Sequence, residues 1–408
     1  MDFELTADQW AWREEIRSFL TDHVTPELLH ELLHLGAEAR GPELRAFRSK
    51  VGERGWYGLA WPVEFGGLGR GPVDQHILQT EFLYAGVPGP DFTVTSMAPM
   101  IMRYGTEQNK AEFLPGIARG EIFAAIGYSE PSAGTDLASL RTHAELDGDE
   151  WVINGSKIWN SFAHSATHEW LLVRTDRTAA KHKGLSVIMV PIDTKGIDVR
   201  PLRTWADWRI NETFFTDVRV PRTNLIGEVN KGWIYVTGAL DLERGAMLTS
   251  GDLRREFEAL VEFCRTQTLN DVRLIEQPDV RTKLVELDGD IEIGRLMGLA
   301  AASKLESGSI PSTLISAEKI FLSELRQRLA DYGTQILGAY GQLHWADQRS
   351  PFEGAMERLY RFAPPGRFGG GTNEVLRDII AQRGYGMPSS GRAPPPKPVS
   401  SQDLKQEA

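Results

Sequence analysis

The sequence contains only one cysteine, Cys264, among 408 residues. A single cysteine excludes an internal disulfide bond and a zinc site built from several thiolates. Long apolar runs are also missing, because no stretch approaches the roughly 20 residues that a membrane-spanning helix needs. These absences indicate a globular chain that folds without disulfide bonds, with Cys264 as a small apolar side chain of the core.

Positive charge is also in short supply. The chain carries 45 Lys and Arg residues against 56 Asp and Glu residues, which gives a formal net charge of −11. This balance argues against nucleic acid or an anionic membrane as the main partner. The N-terminal stretch MDFELTADQWAWREE contains acidic residues and no long apolar segment, so we expect no signal peptide and a cytoplasmic location.

A dinucleotide-binding fingerprint and a metal site are missing as well. In the glycine-rich segment 61–71, Pro72 follows where G-x-G-x-x-G needs its last glycine, so we interpret the segment as a structural loop. His164 and His168 have the i, i+4 spacing of zinc ligands on a helix. They lie in a β-rich region without an acidic ligand at a matching offset, so we predict no metal site.

The hydrophobic pattern changes its period twice along the chain. Helical spacing begins with a capping box at Thr6 and Gln9 and gives way to the alternation typical of antiparallel strands. It then returns in long helices that we expect to break near Pro278 and Pro311. We expect Trp205 and Trp208, on a loop between strands, to pack in the core. The order predicts an α+β fold. Its parts are an N-terminal helical domain, a middle antiparallel β domain, a C-terminal helical domain and a disordered tail rich in Pro and Ser: residues 1–121, 122–228, 229–386 and 387–408.

Two neighbouring motifs carry most of the functional information. Residues 127–136 read GYSEPSAGTD and residues 154–161 read NGSKIWNS. Each places a hydroxyl, Ser129 or Ser161, at the end of an apolar strand-like run, and Trp159 precedes the second hydroxyl. A flat heteroaromatic cofactor would use such an aromatic wall and such donors for its ring edge. Either motif alone is compatible with an ordinary strand end and a glycine-rich turn.

The two motifs and the order of the regions resemble the acyl-CoA dehydrogenase superfamily of FAD enzymes over nearly the whole chain. The later run FGGGTNEV, residues 368–375, matches the same family. The resemblance implies a C-terminal domain of the four-helix-bundle type and an FAD site. It assigns the pyrimidine edge to Ser129, the N5 edge to Ser161 and the ring face to Trp159. The implied cofactor-binding residues within these motifs are Tyr128, Ser129, Thr135, Trp159, Ser161, Thr372 and Glu374, with Thr135 at the flavin or the CoA arm.

The usual catalytic base of the family is absent. Many members carry a Glu where this chain has Gly370, whereas the isovaleryl-CoA dehydrogenase type carries it in L-x-x-E-R, which matches Leu240 to Arg244 here. The spacing of Val236, Leu240, Glu243 and Met247 also places Glu243 on one apolar helix stripe. Burial in such a stripe raises the pKa of a carboxylate toward that of a useful base. We therefore expect Glu243 to be the base. The alternative is that Glu243 forms an ion pair with a nearby Arg on a solvent-exposed helix face.

The substrate follows from the same resemblance. Asp241 and Arg244 would contact the CoA arm or position the thioester. The glycines around Gly370 leave room for a branched or bulky acyl group. The motifs resemble most closely the actinobacterial enzymes that act on steroid-CoA side chains. We therefore expect FAD-dependent α,β-dehydrogenation of a bulky, branched or steroid side-chain acyl-CoA, with an electron-transfer flavoprotein as the electron acceptor.

The chain departs from the family at the subunit interface. Homotetrameric members carry R-x-x-F-G, which is altered in residues 265–276, while Q-x-x-G-G survives in part as Gln335 and Gly338. The resemblance implies that these two residues contact the FAD of a neighbouring subunit. We expect a hetero-oligomer with a paralogous subunit, or else a homo-oligomer. Two other functions stay open: a flavin oxidase or monooxygenase on the same fold, and a catalytically silent partner subunit.

Overall fold

The computed structural model describes residues 4–35, 41–247, 249–308 and 311–388, with the backbone alone for residues 241 and 244–247. The predicted order of helical, β and helical regions is confirmed. The helices are α1 (Ala7–His23), α2 (Pro26–Leu35), α3 (Pro42–Glu53), α4 (Pro72–Tyr84), α5 (Ala98–Tyr104), α6 (Glu107–Ala118), α7 (Gly232–Met247), α8 (Gly251–Thr266), α9 (Pro278–Glu306), α10 (Ser312–Leu337), α11 (Ala355–Phe362) and α12 (Asn373–Ile379).

The N-terminal helices begin as the sequence predicts. The Thr6 hydroxyl accepts the backbone N–H of Gln9, and the Gln9 side chain accepts the N–H of Thr6, so the capping box of α1 is confirmed. Aromatic side chains from several segments then close the core. The ring of Trp56 lies 5.1 Å from Trp12 and 4.7 Å from Phe19, centroid to centroid.

The middle region is a single curled sheet. Its strands are β1 (Ala124–Gly127), β2 (His143–Asp147), β3 (Glu150–Ile158), β4 (His168–Arg174), β5 (Leu185–Pro191), β6 (Ile197–Arg203) and β7 (Arg209–Pro221). The strand order is β1-β4-β2-β3-β7-β6, with β5 on β4. The pairings are antiparallel apart from β1 with β4 and one bridge between β2 and β4, which are parallel. The parallel pair matters most for the site, because it lays the first motif directly beside β4.

The C-terminal helices form a second apolar core, with Leu322, Leu325 and Leu329 of α10 at its centre. Helices α9 and α10 start at Pro278 and just after Pro311, where the sequence predicts breaks. A two-stranded hairpin, β8 (Thr268–Leu269) and β9 (Val272–Arg273), lies between α8 and α9. Helix α4 packs on α8 and α9, which joins the N-terminal helices to the C-terminal ones.

Two further predictions concern membrane-spanning helices and the C-terminal tail. None of the helices in the described residues combines the length and apolar character needed to cross a bilayer. The predicted tail, residues 387–408, lies outside the described residues beyond position 388.

Candidate functional site

The structure brings the two sequence motifs into direct contact. The backbone N–H of Ile158 donates to the carbonyl of Ser129 over 2.9 Å. The Lys157 ammonium donates to the carbonyl of Tyr128 over 3.0 Å. The ends of β1 and β3 therefore lie side by side, which places Ser129 beside the strand end that leads to Ser161.

The turn after β3 leaves the Trp159 side chain exposed to solvent. The indole is 58% exposed, while Ser129 and Ser161 are half-buried. Trp159 has a φ of 67° and Phe162 a φ of 63°, a left-handed backbone that bulky residues rarely adopt. An exposed indole beside half-buried hydroxyls fits the face and edge of a planar heteroaromatic group.

A buried ion pair supports this arrangement from below. Lys157 is fully buried, and its ammonium lies 3.0 Å from the Glu130 carboxylate. Burial lowers the pKa of Lys157 to about 8. Burial raises the pKa of Glu130, but the Lys157 charge and the hydrogen bonds from Thr142 and Arg141 outweigh it, so that pKa is lowered. The pair fixes the start of the first motif to the end of β3.

Glu243 lies on the buried face of α7. Its side chain is 7% exposed, and Val236 and Ala239 are fully buried on the same face, whereas Leu240 is half-buried. Burial raises the pKa of Tyr128 well above its usual value, and the charge of Glu243 raises it further. The Glu243 carboxylate is therefore close enough to act on the Tyr128 hydroxyl, within the first motif.

Two predicted substrate residues lie on the same helix as Glu243. Asp241 and Arg244 are on the α7 backbone, but their side chains lie outside the described residues, as does that of Met247. Their predicted roles at the CoA arm stay predictions.

The glycine-rich loop before α12 is held by α10. Gly370 has a φ of 67°. The Lys319 ammonium donates to the carbonyl of Gly371 and to the side-chain oxygen of Asn373, each over 2.9 Å. Thr372 caps α12 by accepting the N–H of Val375. Glu374 is exposed in the first turn of that helix.

Three predicted cofactor residues lie apart from this group. Thr135 is exposed on the turn after Ser129. Gln335 donates to the Asp331 carboxylate at the far end of α10, and Gly338 follows with a φ of 56°. Helical rise separates Lys319 from Gln335 by roughly 24 Å. Gln335 and Gly338 therefore do not meet the glycine-rich loop within one chain.

Sequence reasoning missed the buried polar residues beneath the turn. Asn160 and Glu169 are fully buried, and the Asn160 side-chain N–H₂ donates to Glu169 over 2.9 Å. A charged residue at the start of the apolar run 170–173 was the available signal. One expectation is wrong: Trp205 is 61% exposed, and its indole donates to the Arg361 carbonyl. Trp208 is half-buried with its ring 4.9 Å from Phe362.

Comparison with solved structures supports the same architecture. The "Tcur3481-Tcur3483 steroid ACAD" superposes with a TM-score of 0.88 and 38% identity, over 96% of this chain and 100% of that chain. The ChsE4-ChsE5 complex from Mycobacterium tuberculosis gives a TM-score of 0.87 and 38% identity, over 95% of this chain and 100% of that chain.

Sequence comparison gives the family. Acyl-CoA dehydrogenase FadE26 of Mycobacterium tuberculosis (strain ATCC 25618 / H37Rv) is 38% identical over 401 residues, which cover 96% of this chain and 100% of the relative. The family models for the N-terminal, middle and C-terminal domains of acyl-CoA dehydrogenases match residues 6–121, 125–218 and 230–385. The chain therefore belongs to the acyl-CoA dehydrogenase family.

Proposed function

We propose that this acyl-CoA dehydrogenase removes the α-proton of an acyl-CoA thioester with Glu243 and uses FAD as the acceptor. The observation that carries the proposal is the position of Glu243, buried on α7 and acting electrostatically on Tyr128 of the first motif. The glycine-rich loop offers no carboxylate at Gly370. Bound FAD supplies the acceptor for the β-hydrogen as hydride.

The exposed and half-buried residues at the motif ends would hold the cofactor. Trp159 would cover one face of the ring, and Ser129 and Ser161 would donate hydrogen bonds to its edges. Thr372 and Glu374, at the start of α12, would reach the phosphates or the ribose. Thr135 would contact either the flavin or the CoA arm. The open indole and the two half-buried hydroxyls support this assignment.

Glu243 would act as a general base. Its carboxylate oxygen would take the α-proton, and burial on α7 would keep bulk water from competing for that proton. Tyr128 next to it is itself fixed, since its hydroxyl accepts the Trp170 indole N–H over 2.9 Å. A fixed neighbour keeps the geometry around the base constant during the reaction.

The CoA arm would be bound by positive charge where β2 begins and β4 ends. A basic pocket is lined by Arg141, His143, Arg174, Arg177 and Lys181, among others. Cationic side chains of this kind suit the phosphates of CoA. Asp241 and Arg244 would act further along the arm, near the thioester.

A bulky acyl group, such as a steroid side chain, is the proposed substrate. The absence of a side chain at Gly370 leaves space beside the reacting carbons. The similarity to a steroid ACAD supports the same choice. Rapid flavin bleaching by short linear acyl-CoA thioesters, with slow bleaching by steroid-derived ones, would reject this substrate class.

A second, paralogous subunit would complete the assembly. Gln335 and Gly338 lie at the opposite end of α10 from Lys319, so they would meet the FAD of a neighbour. The ChsE4-ChsE5 complex supports a pair of different chains. A homo-oligomer stays the alternative, and an electron-transfer flavoprotein is the proposed electron acceptor.

The test is anaerobic mixing of the purified protein with acyl-CoA substrates, with and without a co-expressed paralogue. Loss of the oxidised flavin absorbance on addition of substrate is the expected result. Vigorous peroxide formation in air would favour an oxidase on the same fold. Full flavin occupancy and activity of this chain alone would reject the paralogous subunit. A flavin-loaded assembly whose activity persists without Glu243 would favour a silent subunit.

A further inference from the structure

Asn160 joins three strands beneath the turn that carries Trp159 and Ser161. Its side-chain N–H₂ donates to the Ile126 carbonyl of β1 over 2.8 Å and to Glu169 of β4 over 2.9 Å. On β7, Asn211 donates its side-chain N–H₂ to the Asn160 carbonyl over 2.7 Å and accepts the Asn160 N–H over 3.0 Å. One fully buried residue, Asn160, thus ties the turn to β1, β4 and β7.

The turn needs such a fixation. Trp159 and Phe162, on either side of Asn160, both adopt left-handed backbone angles. Bulky residues keep these angles only where surrounding contacts hold them. The position of the Trp159 indole and the Ser161 hydroxyl therefore depends on the bonds made by Asn160.

Glu169 is the side chain that orients the Asn160 amide. Amide rotation would exchange its oxygen and nitrogen, and an acceptor on each side of the nitrogen keeps that nitrogen in place. The Ile126 carbonyl is one acceptor and Glu169 Oε1 is the other. Both acceptors face the same N–H₂ group, so Glu169 adds to the preference for the amide orientation that ties the turn to β1.

The first motif is shaped to admit Glu169. A Cβ atom at Gly127 would overlap Glu169 Oε1 and lie 2.7 Å from Leu171 Cδ1. The parallel pairing of β1 with β4, with Ala125 opposite Glu169, creates this close approach. Gly127 is therefore required by the carboxyl group behind it, in addition to any role of the motif toward a ligand.

Ion pairing does not account for Glu169. The Lys157 ammonium donates its hydrogen bonds to the Tyr128 carbonyl and to Glu130, and it acts on Glu169 only through its charge. Glu169 receives its hydrogen bond from Asn160 instead. Its specific contribution is thus the orientation of an amide.

We propose that Glu169 is a positioning residue for the flavin site: it orients the Asn160 amide and thereby sets Trp159 and Ser161 against the first motif. Glu169 itself lies behind the turn, away from the reacting atoms. The inference rests on the proposed function, because Trp159 and Ser161 are taken as flavin contacts.

The experiment compares Glu169→Gln with Glu169→Met in the full assembly. Gln keeps an acceptor oxygen for Asn160, whereas Met keeps the bulk and removes the acceptor. We expect Glu169→Met to weaken FAD binding about tenfold and to shift the flavin absorbance band, as the loss of one buried hydrogen bond implies, while Glu169→Gln stays near the wild type. Gly127→Ala, which crowds Glu169, should resemble the Met variant.

Hydrogen exchange of the peptide spanning residues 157–163 gives a readout that needs no cofactor. Faster exchange in Glu169→Met than in Glu169→Gln is the expected result. Equal exchange and equal FAD affinity in the two variants, even with a lower melting temperature for Met, would overturn the inference. A wild type that binds no FAD, together with faster exchange in the Met variant, would reject the proposed function and leave the positioning of the turn standing.

Discussion

Two buried carboxyl groups, Glu169 in the sheet and Glu318 in the helical bundle, differ in what surrounds them. One oxygen of Glu169 accepts the Asn160 amide over 2.9 Å, and the other meets no partner among the described residues. Glu318 is 2% exposed on the apolar face of α10, and across the described ranges neither of its oxygens has a hydrogen-bond partner. A Cβ atom at Gly298 of α9 would overlap His76 Cε1 of α4 and lie 2.8 Å from Glu318 Oε1.

Burial alone therefore does not identify a residue that supports the site. Burial raises the pKa of Glu169 and that of Glu318 to about 8 in both cases. Only Glu169 belongs to a set of bonded polar groups that shapes the turn with Trp159. Glu318 carries the unfavourable free energy of a buried polar group without the compensating hydrogen bond.

The largest expected change in the free energy of unfolding comes from breaking the buried Lys157–Glu130 ion pair. Lys157→Met leaves the Glu130 carboxylate buried without its cation and removes the donor to the Tyr128 carbonyl. We expect the free energy of unfolding to fall by about 3–5 kcal/mol, measured by urea denaturation. The matched control is Lys110→Met, because Lys110 pairs with a fully solvated Glu107 and contributes less than about 1 kcal/mol. Equal losses in the free energy of unfolding for Lys157→Met and Lys110→Met would contradict a stabilising role of the buried Lys157–Glu130 pair.

A smaller effect of opposite sign is expected in the bundle. Glu318→Leu replaces a buried carboxyl without hydrogen bonds by an apolar side chain that matches Leu322 and Leu325 on the same helix face. The free energy of unfolding at pH 7 should rise by about 1–3 kcal/mol. The same substitution at Glu169 should bring no gain, since it also removes the acceptor of Asn160. A lower free energy of unfolding for Glu318→Leu would show that the Glu318 carboxyl stabilises the bundle, contrary to this expectation.

The smallest effect is a change in pH dependence. The folded Glu318 carboxyl keeps its proton up to about pH 8, whereas an unfolded one loses it near 4.5. Its contribution to stability is therefore present below pH 4.5 and is lost as the pH rises to 8. His76 has the opposite effect between about pH 4 and 6.5, because burial, with the nearby Arg295 charge, lowers its pKa to about 4.

The window from pH 6.5 to 8 lies above the range in which His76 titrates, and comparing variant with wild type separates the carboxyl groups from Lys157, whose pKa is about 8. There, Glu318→Gln should flatten the fall in the free energy of unfolding by about 1 kcal/mol per pH unit. Glu169→Gln should give a similar change. Denaturation curves at pH 6.5 and 8 provide the measurement. An equal fall in the free energy of unfolding for wild type and variant would contradict the raised pKa of the carboxyl group.

Local signals predicted much of the fold. The capping box at Thr6, the helix starts at Pro278 and Pro311, and the alternation along β2 and β3 depend on residues close in sequence. These signals set the order of helical and β regions. The proximity of the two motifs followed from the family resemblance, and the hydrogen bond from Ile158 to Ser129 is its structural form.

The support beneath the site could not be predicted in this way. Glu169 meets Gly127 only because β1 and β4 pair in parallel, and that pairing joins segments about forty residues apart. The left-handed turn at Trp159 depends in turn on Asn160, which is held by β7. The separation of Gln335 from the glycine-rich loop likewise depends on the length of α10.

The central claim is that Glu243 is the base of an acyl-CoA dehydrogenase. Rapid mixing under anaerobic conditions measures flavin reduction by a bulky acyl-CoA in Glu243→Gln, with the exposed Glu262→Gln as control. The account predicts that Glu243→Gln binds FAD like the wild type and reduces it about 10²- to 10⁴-fold more slowly, while the control is unaffected. Flavin reduction in Glu243→Gln within a few-fold of the wild type would contradict it.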